Sequence, residues 1–237
     1  MNLDWAAGKT LLITGGSKGI GGAMVEMFSA SGGASYILSR NSLSPKAGTT
    51  HIGMDIMSSD SMQRGISALK SKIDSVDYIV LNAGFRELRS LTESDSAHWS
   101  NIYQANLFSA VYITREMLPF LRRGGAIVTV SSSAPRQCHV NTSAYASSQV
   151  ALEIYSRVIS RELALLGIRV NTVAPGPTRT DGLMNSFSEE TTVESISKSI
   201  PMRRIGEASE VASCILYLLS PQSSFITGQV IHCNGGL

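Results

Sequence analysis

Tyr145 opens the stretch SAYASSQVAL (143–152), and Gln149 follows it by four residues. On a helix that spacing stacks the two side chains on one face, a turn apart. A phenol so placed can give a proton as the neutral form or take one as the phenolate. A free tyrosine titrates near 10, so at neutral pH only about one in a thousand is ionised. A cation one turn away would raise that fraction, but the Gln149 amide hydrogen-bonds without carrying charge. The pair therefore favours the acid over the base.

A second cluster lies near the amino terminus. TLLIT (10–14) runs directly into GGSKGIGGAM, which sets Gly15, Gly19 and Gly21 in a G-x3-G-x-G spacing at the opening of a helix. Glycines there allow a tight turn and close backbone approach, and the helix start offers free N–H groups to a pyrophosphate. After the second strand comes ILSRN, with Ser39 and then Arg40 and no acid. A carboxylate in that place accepts hydrogen bonds from a ribose, whereas a cation receives a 2′-phosphate. Arg40 together with Lys18 inside the glycine loop favours NADP(H) over NAD(H), because charge-assisted contacts suit a dianion.

The elements that must position these clusters alternate along the chain. TLLIT (10–14), SYILS (35–39), THIGM (50–54), DYIVL (77–81), AIVTV (126–130), IRVNTV (168–173) and GQVIHC (228–233) read as strands, mostly without polar alternation, as in strands covered on both faces. Helical patterns over 20–31, 59–73, 96–121, 145–166 and 207–219 fall between them. This predicts an α/β, doubly wound parallel sheet of Rossmann type, about seven strands with helices on both faces, in a single domain over 1–237. Only 181–201 lacks strand character; rich in Ser, Thr and Glu, it reads as an insertion carrying a helix or two over the substrate end.

Bulk properties exclude several roles. The 237 residues suffice for one well-buried domain. A net charge of +2, with no Lys/Arg run, gives no footing for nucleic acid. The start MNLDWAAGKTLLITGG has no basic leader segment, and no apolar run reaches the roughly 18 residues that span a bilayer. Cys138, Cys214 and Cys233 are odd in number and far apart in sequence, which suggests neither a disulfide framework nor a metal site. A cytoplasmic protein is expected.

With these clusters in order, the chain resembles the short-chain dehydrogenases/reductases of the compact, single-domain kind, over essentially its whole length. The likeness rests on TGGSKGIG, on MDI with Asp55 and Ile56, on LNAG with Asn82, Ala83 and Gly84, and on Asn106 in QANLFSAV. It continues with Ser132 in VTVSSSAP thirteen residues before Tyr145, with VNTVAPGPTRT, and with the carboxy-terminal PMRRIGEASEVASCILYLLSPQSSFITGQVIHCNGG. The resemblance implies a catalytic set of Asn106, Ser132, Tyr145 and the residue at 149. It also implies cofactor contacts from Gly15, Ser17, Lys18, Gly19, Ile20, Gly21, Ser39, Arg40, Asp55, Ile56, Asn82, Ala83, Gly84, Tyr145, Gln149, Pro175, Gly176, Thr178 and Thr180. Ser131 and Ser133 could each replace Ser132 in a shifted loop. Two departures stand out: Gln149 where the family has lysine, and Asn234 where an aspartate usually precedes the final Gly-Gly.

The implied chemistry is hydride transfer between nicotinamide and a small carbonyl or alcohol, with Tyr145 moving the proton and Ser132 holding the substrate oxygen. Without the lysine, alcohol oxidation is impaired more than carbonyl reduction. A slow, reduction-biased ketoreductase follows. Two other readings stay open: a non-redox isomerase, dehydratase or cyclase using Tyr145 as acid, and a nucleotide-binding regulatory protein without turnover. Arg86, Arg136 and Arg179 at the pocket mouth suit an anionic substrate, with Arg89, Gln137, His139 and Asn141 nearby. Met184 and Phe187 would supply an apolar wall, and Arg203 and Arg204 would pin the carboxy-terminal segment. The helix 145–166 carries Leu152, Tyr155, Val158, Ile159, Leu163 and Leu166, apolar over much of its circumference. In the resembled family this helix packs on its copy, so a homodimer or homotetramer is expected.

Overall fold

Each apolar run becomes a strand of one parallel sheet. The computed structural model describes residues 3–40, 46–185 and 192–237. The order of elements is β1 (Thr10–Thr14), α1 (Gly19–Ala30), β2 (Ala34–Ser39), β3 (Thr49–Gly53), α2 (Ser59–Lys70) and β4 (Val76–Leu81). Then come α3 (Ser96–Tyr103), α4 (Ser109–Met117), β5 (Leu121–Val130), α5 (Ala134–Gln137), α6 (Ser143–Ala164) and β6 (Arg169–Pro175). The chain closes through β7 (Thr178–Arg179), α7 (Asp181–Met184), α8 (Val193–Ser199), β8 (Gly206–Glu207), α9 (Ala208–Leu219) and β9 (Val230–Cys233).

The large sheet has seven strands in the order β3-β2-β1-β4-β5-β6-β9, parallel throughout, and β7 pairs with β8 in a separate small sheet. Its connectivity reverses between β1 and β4, the place where an open α/β sheet leaves a crevice for a ligand. One face packs on α2, α4 and α6 through residues such as Ile66, Leu69, Ile113, Met117, Leu152 and Leu163. The other packs on α1 and α9 through Met24, Val25, Phe28, Val211, Ile215 and Leu219.

Local chemistry explains the helix registers. In α2 the Ser58 hydroxyl caps the first turn by accepting from the Ser61 N–H at 3.2 Å, and Met62, Gly65, Ile66 and Leu69 form the buried stripe. Such a cap is worth about 1 kcal/mol, and each large apolar side chain buried adds about 1.5–3 kcal/mol. The stripe, more than the cap, seats the helix.

Three expectations need correction. The helix read as continuous over 96–121 is interrupted by a π-helical turn at Gln104–Phe108, and ends in a 3₁₀ turn at Leu118–Phe120 that contains Pro119. Strand β5 begins at Leu121, five residues before the apolar signal of AIVTV: Leu121 pairs with Val76 ahead of a register shift, and Arg122, Arg123 and Gly124 between them are exposed. Finally, Val158 and Leu166 face outward, while Leu152, Ile159 and Leu163 face the core, so α6 is buried on one side within a single chain. In the 181–201 insertion, α7 and α8 are the expected short helices; Phe187 lies outside the described residues. No helix among the described residues is long and apolar enough to cross a membrane.

Candidate active site

The glycine loop is shaped by close backbone contacts. Gly15 and Gly19 sit at φ +67° and +56°, a region that favours glycine. A Cβ on Gly21 would run into the Gly15 carbonyl and come within 2.7 Å of Asn82 Nδ2. Asn82 is what locks the loop: its Nδ2 donates to the carbonyls of Thr14 (3.1 Å) and Gly15 (3.0 Å). In return the Thr14 hydroxyl accepts from the N–H groups of both Asn82 and Ala83, each at 3.0 Å. Thr14 was not singled out from sequence, although a threonine closing an apolar strand just before Gly-Gly is a readable signal. On the far side, a Cβ at Gly19 would lie 3.1 Å from Thr180 Cγ2, so Thr180 sits against the loop.

At the end of β2, Ser39 is buried, and its hydroxyl and carbonyl both meet His51 Nε2 at 3.0 and 3.1 Å. Arg40, next in the chain, is exposed, as is Lys18 in the glycine loop, where Ser17 and Ile20 are half-buried. Asp55 accepts from the Met57 N–H at 3.0 Å, and the Ile56 carbonyl accepts from Gln104 Nε2 at 3.2 Å. Thus the glycine loop, the β2 end, Asp55–Ile56 and Asn82–Gly84 line one crevice at the switch point. The cradle would be filled by a Cβ at Gly21 and is lined by N–H groups and exposed cations, which fits a nicotinamide dinucleotide.

Tyr145 lies in the first turn of α6, and the Ser132 side chain acts on its phenol. Ser132 Oγ also accepts from the Ala134 N–H at 3.1 Å. Of the three serines, Ser131 and Ser133 are buried, and Ser131 Oγ donates to Glu153 Oε1 at 2.9 Å. Ser132 alone of the three acts on the Tyr145 phenol. Burial pushes the Tyr145 phenol above its usual 10, against the smaller opposing pulls of the Ser132 hydrogen bond and the Arg86 charge. The phenol is therefore held in its neutral form.

Asn106 ties this end together from within the π-helical turn, a geometry often found at functional sites. Its Oδ1 accepts from the Phe85 N–H at 2.8 Å, while Nδ2 donates to the Phe85 carbonyl (2.9 Å) and to Ser148 Oγ (3.0 Å). Ser148 in turn donates to the Tyr145 carbonyl at 2.7 Å. Ser148 was missed from sequence; a small polar residue three after Tyr145 on the buried side of α6 was the available clue. Gln149 is 4% exposed, and its Oε1 is buried without a partner. A cavity of about 20 Å³, room for one water, opens between Gln149, Asn106, Ser109, Ala83 and Gly84.

The rim is less uniform than the sequence suggested. Arg86 is exposed and has no ion pair with a described residue, whereas Arg89 pairs with Glu87 Oε1 at 2.7 Å and donates its N–H to the Asn141 carbonyl at 3.1 Å. Glu87 Oε2 meets the buried His98 at 3.2 Å, and Arg89 first, then His98, holds the Glu87 carboxyl below the usual range. Arg136 is exposed at the end of α5. Arg179 is already paired with Glu207 at 3.0 Å. Pro175 is the last residue of β6, Gly176 donates its N–H to the Cys233 carbonyl at 2.9 Å, and Thr178 Oγ1 donates to the Gly176 carbonyl at 2.9 Å. Asn234 packs directly on Gly176, and its Nδ2 donates to the Leu237 carbonyl at 2.6 Å. Arg204 does pin the carboxy-terminal region, through a two-pronged pair with Glu210 at 2.6 and 2.7 Å.

Two of the cysteines are brought close to each other. Cys214 on α9 and Cys233 on β9, distant in sequence, act on each other: the neighbouring thiol pushes Cys214 up and lowers Cys233 to about 7. They remain free thiols. Among the described residues no group of three His, Cys, Asp or Glu could hold a metal ion.

Comparison with known proteins places this architecture. Residues 15–237 match the family model described as enoyl-(acyl carrier protein) reductase. Carbonyl reductase family member 4 of Xenopus laevis is 32% identical, over 97% of this chain and 98% of that one. A short chain dehydrogenase family protein from Francisella tularensis superposes with a TM-score of 0.89 at 28% identity, over 96% of this chain and 97% of that one. The 3-ketoacyl-(acyl carrier protein) reductase of Brucella melitensis, solved with NADH, superposes with a TM-score of 0.88 at 25% identity, over 98% of both chains. With the family model spanning residues 15–237 and the fold shared with these relatives, this protein belongs to the short-chain dehydrogenase/reductase family of oxidoreductases.

Proposed function

We propose that the chain is an NADP(H)-dependent reductase that converts a ketone or aldehyde to an alcohol, with Tyr145 as the proton donor. The observation that carries this reading is the Asn106–Ser148–Tyr145 chain of hydrogen bonds, which fixes the helix turn bearing a phenol held neutral by burial. When bound, the dinucleotide supplies the hydride. Ser132 Oγ holds the substrate oxygen, and Tyr145 Oη donates a proton to it as negative charge develops. Asn106 and Ser148 fix the first turn of α6, so the phenol keeps its place. Gln149, in the position that carries a lysine in the resembled proteins, offers an amide to the ribose but no positive charge. Reduction needs the neutral phenol and tolerates this; oxidation needs the phenolate and does not.

Lys18 in the glycine loop and Arg40 after buried Ser39, both exposed, support NADP(H) as the preferred dinucleotide. Arg86 and Arg136 remain open to an anionic substrate, while Arg179 meets one only by leaving Glu207. The short helices α7 and α8 are the described parts of the segment that would cover that end. Val150, Ile154 and Val158 stand in an outward row along α6, 43–50% exposed, beside exposed Phe108 and Val111. That row supports a homo-oligomer in which α6 packs on its copy across a two-fold axis.

The deciding experiment is a paired fluorescence titration with NADPH and NADH, followed by turnover on a panel of ketones. Tighter binding of NADPH and its slow oxidation by a ketone are expected. Binding without consumption on every ketone, by both the parent and Gln149→Lys, would remove hydride transfer and leave a non-redox role.

A further inference from the structure

Ser39 and Arg40 end β2 where the 2′-phosphate of NADP(H) would sit, and a residue of the neighbouring strand holds them. His51 lies on β3 in register with Ile37, and its ring reaches two residues further along β2. Its Nε2 meets the Ser39 carbonyl at 3.1 Å and the Ser39 hydroxyl at 3.0 Å. A carbonyl oxygen only accepts, so Nε2 carries a hydrogen and donates it. The same carbonyl accepts from the Met54 N–H, just past β3, at 3.0 Å. Two donors from the β3 side therefore fix one oxygen. That oxygen sets the direction of the next N–H, because the C=O and N–H of a planar trans peptide point opposite ways. With the Ser39 carbonyl turned to β3, the Arg40 N–H is turned to the β1 side of β2. On that side the Leu38 carbonyl accepts from the Gly15 N–H, at 2.9 Å, in the glycine loop.

We propose that His51 is a positioning residue for dinucleotide choice: it locks the Ser39–Arg40 peptide so that the Arg40 N–H, and the backbone bearing the Arg40 guanidinium, are presented to the 2′-phosphate of NADP(H). This rests on the NADP(H) part of the reductase reading and not on hydride transfer or on Tyr145. A backbone N–H gives a phosphate a charge-assisted hydrogen bond. Fixing its direction before the ligand arrives spares the cost of ordering the peptide on binding. NADH carries a hydroxyl in that place and gains less, because a neutral hydrogen bond is weaker. The ring acts through Ser39 and is not itself a ligand contact. Its effect therefore falls on the difference between the two dinucleotides. The pyrophosphate cradle, secured separately by Asn82 and Thr14, is left as it is.

The test measures, by calorimetry on the intact protein, the affinities of adenosine 2′,5′-bisphosphate and of 5′-AMP, two probes that differ only in the 2′-phosphate. The parent should prefer the bisphosphate. His51→Leu, which removes the donor, should reduce that preference on the order of tenfold, while 5′-AMP binds within a factor of two or so of the parent. His51→Gln, whose amide reaches as far with an N–H, should retain most of the preference. His51→Asn, polar but too short to reach Ser39, should behave like His51→Leu. Should the leucine variant fail to fold, the Gln and Asn pair carries the comparison alone. A preference unchanged in every variant overturns the inference. So does an equal loss of both probes, which would make His51 a brace of the sheet and nothing more. A parent that does not prefer the bisphosphate removes the NADP(H) reading and the inference together, whereas a parent preference that survives loss of the donor removes the inference alone.

Discussion

At the dinucleotide end, the fit is made by backbone. Asn82 and Thr14 exchange four hydrogen bonds with the loop and with each other's main chain, all between 3.0 and 3.1 Å, and the three loop glycines sit where a side chain would strain or collide. At the Tyr145 end, the fit is made by side chains, and it is incomplete. Gln149 Oε1 is buried without a partner, which costs about 1–3 kcal/mol unless something satisfies it. The first region tolerates almost no change in shape. On the proposed reading the second tolerates a change in charge, with Gln149 as the position at which it is made. A dinucleotide site defined by sterics can thus persist while the proton-transfer site beside it is retuned.

The sharpest way to break that contrast is Tyr145→Phe. Removing the donor should lower ketone reduction on the order of a thousandfold while NADPH affinity stays within a factor of two or so. Kinetics and a fluorescence titration on the same preparation measure both. A large loss of affinity would mean the two ends are one structural unit after all. The next largest effect belongs to the cradle. Gly21→Ala should weaken NADPH binding by roughly tenfold to a hundredfold, the factor that corresponds to an overpacking penalty of about 1–3 kcal/mol. Gly22→Ala, whose Cβ would meet nothing closer than 3.5 Å, should bind like the parent. If both behave alike, close approach is not what the loop is built for.

How much of this was legible beforehand divides along the same line. The glycine loop, the strand ends and Asn82 could be read because a positive φ or a close contact restricts residue type at the position itself. The sheet followed from runs of apolar residues, whose pattern is local. The π-helical turn at Asn106 was invisible, since 96–117 keeps helical periodicity through it and only the pull of Phe85 reveals the extra residue. Ser148, the Glu87–Arg89–His98 cluster and the solitary Arg86 were equally hidden. Their roles depend on which partner is already taken, and that is settled by tertiary adjacency. Cys214 and Cys233 make the same point: separation in sequence says little about thiols on a helix and strand that pack together.

Gln149→Lys sharpens the charge side of the comparison. A cation beneath Tyr145 should lower its pKa, and one pH unit of change is a tenfold gain in phenolate at neutral pH. Alcohol oxidation should rise by about tenfold, with reduction changing less. The pH profile carries the sign. In the parent the raised phenol keeps oxidation climbing with pH through and beyond the usual tyrosine range, while reduction stays flat until the phenol ionises. In the variant both transitions should move to lower pH. An unchanged oxidation limb would show that position 149 no longer faces the phenol electrostatically.

The smallest expected effect tests whether the cradle, too, leans on charge anywhere. Behind Thr178–Thr180, β7 pairs with β8, and Glu210 both receives Arg204 in two hydrogen bonds and accepts the Glu207 N–H at 2.8 Å. Arg204 first, then that backbone hydrogen bond, lowers the Glu210 carboxyl from 4.5 to about 2. A depressed folded value means that the stabilisation is fully present above about 4.5 and is lost as pH falls through about 2. The pair is exposed, so solvent screens it and the stabilisation is modest. Glu210→Gln should therefore melt a few degrees below the parent at most at neutral pH, with the gap closing as pH drops across that window, in thermal scans on matched buffers. A gap that persists below pH 2 would assign the effect to packing at the start of α9 rather than to the ion pair. A gap that closes as expected leaves the cradle's acid sensitivity outside its glycine loop, in the staple that holds Thr180 against Gly19, while the Tyr145 end remains the region that responds to alkali.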